Sequence, residues 1–200
     1  MDMEIIEEPI TVAPELARIP ISFEVESVFD VSAPGGGLGG LILSERRLDA
    51  PYVKDYDTAE GEHPAQWAVR FDVSNWGLIG AHSDGARVGG AVVAFSTEGL
   101  SLLEGRTDLA VLWDIRVCPA ARGRGAGLAL FRAAEAWAAA RGCRQLKIET
   151  QNINVPACRF YARQGCVLGA INRFAYRELP DEVQLLWYKT LPLPSGGGQR

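Results

Sequence analysis

A chain of 200 residues, 48% of them apolar, can bury one sizeable core and gives no sign of two independent domains. Its net charge of −5, with no long Lys/Arg run, argues against a nucleic-acid partner. No stretch approaches the ~20 apolar residues of a membrane span, and the acidic opening Met1-Asp-Met-Glu-Ile-Ile-Glu-Glu8 lacks the basic and apolar regions of a signal peptide, so a cytoplasmic protein with no membrane partner is expected. The four cysteines (Cys118, Cys143, Cys158, Cys166) form no CxxC pair, and His63 and His82 offer no zinc-like spacing with them. Free buried thiols and no metal are expected.

Ile21, Phe23 and Val25 alternate with Ser22, Glu24 and Glu26, the period of a strand with one buried face. Residues 31 to about 62 carry no sustained period, and their glycine run, Gly35 to Gly40, has neither a preceding apolar strand nor a following helix. It reads as a plain flexible loop rather than a phosphate loop. Trp76–Ala81 and Val88–Phe95 read as a hairpin turning at Asp84-Gly85, with a bulge or close backbone approach at Gly89 and Gly90. A strand is expected over 109–118, with Val111, Trp113, Ile115 and Val117 on one face and Asp114 and Arg116 on the other.

A helix from about Gly125 to Arg141 follows, its apolar face made by Leu128, Phe131, Ala134 and Ala138 and broadened by Leu130 and Trp137. Next come a strand over 145–150, a second helix over about 155–164 capped by Asn154, and strands over about 167–176 and 183–189. The Pro/Gly/Ser-rich end over 191–200 reads as a flexible tail after a single domain spanning 1–190. The strand–helix–strand core predicts a parallel βαβ unit flanked by antiparallel hairpins, an α/β (α+β) protein whose mixed sheet carries helices on both faces.

The loop Arg122-Gly123-Arg124-Gly125-Ala126-Gly127 joins a strand to a helix start. Glycines allow close approach of a diphosphate, the first-turn N–H groups and helix dipole favour negative charge, and two arginines add cations. The residues alone leave open whether this is an anion site or a tight turn with exposed arginines. GxGxxG fails at Leu128, and no Gly-Lys-Ser/Thr is present.

Arg122, Gly125 and Gly127 fit the Q/R-x-x-G-x-G/A acetyl-CoA loop of the GNAT acetyltransferase superfamily. The stretch Asn154-Val-Pro-Ala157-Cys-Arg-Phe160-Tyr161-Ala-Arg-Gln-Gly165-Cys resembles its N-x-x-A-x-x-F-Y-x-x-x-G-F block, with Cys166 replacing Phe. The resemblance spans roughly residues 76–190. Tyr52-Val-Lys-Asp-Tyr-Asp57, Trp113-Asp-Ile-Arg-Val117, Glu149-Thr-Gln-Asn152 and Leu186-Trp-Tyr-Lys189 further resemble the streptothricin acetyltransferase subfamily.

The resemblance implies a sheet of about six to seven strands and an enzyme that moves an acetyl group from acetyl-CoA to a primary amine of a small cationic acceptor. An antibiotic acceptor would make it a resistance enzyme. It implies that the backbone of Ile115 and Val117 polarises the acetyl carbonyl beside a splayed or bulged strand. Arg122, Gly123, Arg124, Gly125, Ala126 and Gly127 would hold the diphosphate, Asn154 the pantetheine arm, and Tyr161 would protonate the departing thiolate. Asp114 and Glu149 are the candidate proton acceptors; each could instead bind a cationic substrate or pair with Arg116 or Lys147. Tyr52, Asp55 and Asp57 are candidate acceptor contacts, against a solvated loop. No histidine base accompanies a cysteine for covalent transfer, so direct transfer is expected. Alternatives on the same fold are acetylation of a protein N-terminus or lysine, and a non-catalytic acyl-CoA sensor. A homodimer through the C-terminal strands is a further family-level expectation.

Overall fold

A computed structural model describes residues 3–59 and 61–192. The expected tail falls outside these residues from 193 onward. The strands are β1 (Met3–Glu8), β2 (Phe23–Ser32), β3 (Ile42–Lys54), β4 (Gly77–Ser83), β5 (Ala86–Ala94), β6 (Leu109–Val117), β7 (Gln145–Gln151), β8 (Val167–Asn172) and β9 (Gln184–Thr190). The α-helices are α1 (Trp67–Arg70), α2 (Ala126–Ala140) and α3 (Val155–Arg163), and Ile10–Arg18 is a 3-10 segment. Seven strands make a mixed sheet of order β1-β4-β5-β6-β7-β9-β8, while β2 and β3 form a separate antiparallel ribbon. No described helix is long and apolar enough to cross a membrane.

The chain divides into two compact units. The first comprises the described residues of Met1–Ser22, Asp55–Lys147 and Thr190–Arg200; the second comprises Phe23–Lys54 and Ile148–Lys189.

In the first unit β1, β4, β5 and β6 pair antiparallel in that order. Glycines on each face record what covers it. A Cβ on Gly77 would lie 2.2 Å from the Trp137 ring, and one on Gly89 would lie 3.0 Å from Leu130, so α2 packs on that face. A Cβ on Gly90 would lie 2.4 Å from Leu16, so the Ile10–Arg18 segment covers the opposite face, where Leu16, Trp67, Trp76, Leu78 and Val92 form an apolar cluster. Of the expected apolar face of α2, Leu130, Phe131, Ala134, Trp137 and Ala138 are buried and Leu128 is half-buried, and Gly142 follows the helix at φ 81. The Asp84-Gly85 turn has both residues at positive φ, the geometry a two-residue hairpin demands.

One residue overturns the expected facing of β6. Leu112 pairs with Val93 and Asp114 with Val92, leaving Trp113 as an extra residue in a β-bulge. A single insertion reverses the alternation, since the strand period is two. Val111 and Trp113 therefore join Asp114 and Arg116 on the side of the Leu16 cluster, while Ile115 and Val117 lie on the other. A similar shift leaves Val88 unpaired beside Gly89, where the glycines suggested it.

In the second unit residues 31–54 depart from the expected loop. Residues 42–54 are a strand paired along β2, and the Gly35–Gly40 run is the turn between them. Gly35, Gly36 and Gly37 take φ of 61, 69 and 100, three consecutive left-handed residues that side chains would strain. Gly39 and Gly40 donate N–H bonds back to Pro34 and Gly37. Most of β3 is exposed, so no apolar alternation was required of it. β8 stops at Asn172, short of the expected Tyr176, because the Asn172 side chain accepts the N–H of Phe174 and turns the chain.

Candidate active site

In the first unit β6 leads through a 3-10 turn at Pro119–Ala121 into the 122–127 loop and α2. Gly123 and Gly125 sit at φ 73 and 91 with nothing within 4 Å of where a Cβ would be. Gly125 is the N-cap of α2 and supplies no side-chain cap to the first-turn N–H groups of the helix. Arg122 also braces the loop. Its guanidinium donates to the carbonyls of Val117 (3.1 Å) and Pro20 (3.3 Å), tying the loop to the strand before it. An exposed, glycine-lined helix start with Arg124 beside it fits a diphosphate.

Asp114 is 7% and Arg116 3% exposed. Both Asp114 oxygens take Arg116 donors, at 2.9 and 2.5 Å, and both Asp57 oxygens take the same guanidinium at 2.9 and 3.1 Å. Arg116 also donates to Ile19 O (3.2 Å), closing down the 3-10 segment. Burial pushes the Asp114 carboxyl up, with Arg116 opposing it. Burial likewise works against the Arg116 charge, but the two aspartates more than offset this and hold it above its usual value. Of the readings left open for Asp114, pairing with Arg116 is the one seen. Asp57 is the second arm of that clasp. Asp55 caps the turn at Tyr56–Thr58 by accepting the N–H of Asp57 (3.1 Å). Lys147 is buried on Glu104 and Leu102 O, not on a β7 neighbour.

In the second unit Glu149 projects from β7 into a hydrogen-bonded row. Tyr176 donates its hydroxyl to Oε1 (2.5 Å) and Gln184 its amide to Oε2 (2.9 Å), while Gln151 donates to the Tyr176 oxygen (2.9 Å). All four are half-buried. Sequence reading found Glu149 but missed Tyr176 and Gln184, since it placed each on an expected strand with no spacing that ties either to Glu149. Asn154 caps α3, its Oδ1 accepting the N–H of Ala157 (3.1 Å). Tyr161 lies on α3 at 5% exposure, its ring 5.2 Å from that of Phe160. Tyr52 is half-exposed on β3; burial, then the charges of Glu182 and Asp181, push its phenol up.

Cys158 is buried beside Thr150 (3.3 Å), which Trp187 also contacts through its indole N–H (2.9 Å). Burial pushes the Cys158 thiol up to about 11 against a weaker opposing bond from Thr150, so it stays protonated at neutral pH and makes a poor nucleophile. Among the described residues no three His, Cys, Asp or Glu side chains form a metal-holding group.

Residues 43–166 match the acetyltransferase (GNAT) family. The chain is 30% identical over 173 residues to a streptothricin acetyltransferase of Streptomyces lavendulae, covering 86% of each chain. It is 32% identical over 171 residues to one from Escherichia coli, covering 83% of this chain and 84% of that protein. Its fold is similar to the crystal structure of nourseothricin acetyltransferase (TM-score 0.75, 26% identity, 96% of this chain and 100% of that one). It is also similar in fold to a Bacillus anthracis protein assigned as a streptothricin acetyltransferase and solved with acetyl coenzyme A (TM-score 0.73, 23% identity, 95% and 100%). The glycine-lined helix start is what such a cosubstrate needs, and the chain belongs to the GNAT acetyltransferase family as an acetyl-CoA-dependent N-acetyltransferase.

Proposed function

We propose that the chain inactivates a streptothricin-type antibiotic by acetylating one of its primary amines in the cytoplasm, residues 1–190 acting as one acetyltransferase domain and pairing as a homodimer through the C-terminal strands. The observation that carries the reading is the Glu149 carboxylate, held on both oxygens by the neutral donors Tyr176 and Gln184. An ionised carboxylate fixed in place suits an acceptor that arrives as an ammonium. Relatives named streptothricin acetyltransferases, matched over more than four fifths of their length, supply the substrate class.

Acetyl-CoA supplies an activated thioester. The residues of this chain bind, orient and move protons around it. The first-turn N–H groups after Gly125, with Arg124, take the diphosphate; Gly123, Ala126 and Gly127 leave room for it, and Arg122 braces the loop. Asn154 takes the pantetheine arm with the side-chain atoms its cap leaves over. Backbone N–H groups of Ile115 and Val117 polarise the carbonyl. The amine must be neutral to attack, and Glu149 draws its proton. A carboxylate of pKa ~4 is a weak base for an ammonium of ~10, so relay through water or desolvation of the substrate assists the step. Tyr161 returns a proton to the thiolate; a phenol near ~10 does this for a thiol near ~8.5 only when well positioned. Asp114, neutralised by Arg116, is left to the scaffold. Tyr52 contacts the acceptor.

Purified protein with acetyl-CoA and a panel of streptothricin, aminoglycosides, polyamines and lysine peptides, read by release of CoA thiol, tests the reading. Streptothricin should be turned over well ahead of the peptides; turnover of peptides alone would replace the reading with protein acetylation, and binding of acetyl-CoA without thiol release from any amine would make the chain a sensor. Glu149→Gln should slow the reaction at neutral pH and recover at high pH, where the amine sheds its proton unaided. An unchanged pH profile would remove Glu149 as proton acceptor. Light scattering at twice the chain mass is expected of the dimer, and the monomer mass would reject it.

A further inference from the structure

The connection from β8 to β9 is held at both ends by consecutive residues of β7 and the turn after it. Asn152 accepts the N–H of Val183 (2.7 Å) and donates to Asp181 O (3.4 Å) and Phe29 O (3.0 Å), and Gln151 holds Tyr176. We propose that Tyr176 is a positioning residue for the acceptor amine: its hydroxyl, aimed by Gln151, fixes the Glu149 carboxylate that receives the ammonium. This rests on the functional reading above and adds a positioning residue to it.

The argument is one of direction. The Gln151 amide nitrogen has only protons to give, so the Tyr176 oxygen accepts there. A phenol has one proton, and the acceptor within 2.5 Å is Glu149 Oε1. Gln184 gives its amide proton to the other carboxylate oxygen. An ionised carboxylate only accepts, so both bonds are satisfied by its charged form. Two donors on separate oxygens also fix the torsion of a side chain that otherwise rotates freely about three bonds. The hydroxyl, not the ring, makes this arrangement. Tyr176 is half-buried, between exposed Phe174 and Arg177, and phenylalanine would keep what packing the ring has.

Tyr176→Phe removes the hydroxyl alone. Losing this hydrogen bond to a charged group should raise the KM for the cationic acceptor about tenfold or more, with the KM for acetyl-CoA unchanged. In the Glu149→Gln background the same substitution should cost little further, because its effect runs through the carboxylate. A merely structural role would move both KM values and add fully to Glu149→Gln; either result overturns the inference. The wild type is assayed in parallel. If it turns over no cationic amine, the functional reading falls and takes Tyr176 with it, whereas wild-type turnover with an additive Tyr176→Phe defect removes only Tyr176.

Discussion

Two carboxylates of the same chemistry are handled by their neighbours in opposite ways. Asp114 gives both oxygens to a buried guanidinium; Glu149 receives two neutral donors at a half-buried position. The residue pattern identified both as candidates but could not rank them, since the second arm of the Arg116 clasp is Asp57, more than fifty residues earlier in the chain. If Arg116 is a structural clasp, Arg116→Met should strand two carboxylates and destabilise the fold by about 3–5 kcal/mol in urea titrations. Burial raises the folded-state pKa of Asp114, so its cost is present at neutral pH and disappears below its unfolded value near ~3.9. The deficit of the variant should therefore narrow as pH falls from neutral toward about 4. A loss under about 1 kcal/mol, or a deficit that widens with acid, would contradict the clasp.

Elements were legible in the sequence where one face is buried and one is wet. The α2 stripe, the Asp84-Gly85 hairpin and the Asn154 cap each announce themselves through a period or a turn chemistry that packing enforces. The β2–β3 ribbon hid because β3 is wet nearly throughout, and its glycines, which serve a turn, imitate a loop. The facing of β6 hid because one inserted residue inverts it while leaving the composition untouched. The helix-start loop is the element proposed to bind the cosubstrate. Gly125 has φ 91 and open space around it, so Gly125→Ala meets backbone strain alone, about 1–2 kcal/mol. Relief of that strain should distort the helix start and raise the KM for acetyl-CoA several-fold, with the acceptor KM unchanged in steady-state assays. An unaltered acetyl-CoA KM would dissociate this helix start from the cosubstrate.

At the scale of the whole chain, composition excluded more than it identified. Acidity and the lack of a basic run spoke against nucleic acid, yet neither pointed to acyl transfer. That came from two motif blocks in order, and the family match over residues 43–166 contains both blocks. The proposed acceptor side was harder to read, because Glu149, Tyr176 and Gln184 come from three separate segments with no fixed spacing. The central claim is direct transfer of one acetyl group to an antibiotic amine, and mass spectrometry of a reaction quenched during turnover tests it most directly. The account predicts streptothricin carrying a single acetyl on an amine and protein of unmodified mass at every time point. An acetylated protein that forms and decays at the rate of turnover, or CoA release with the antibiotic left unmodified, would contradict it.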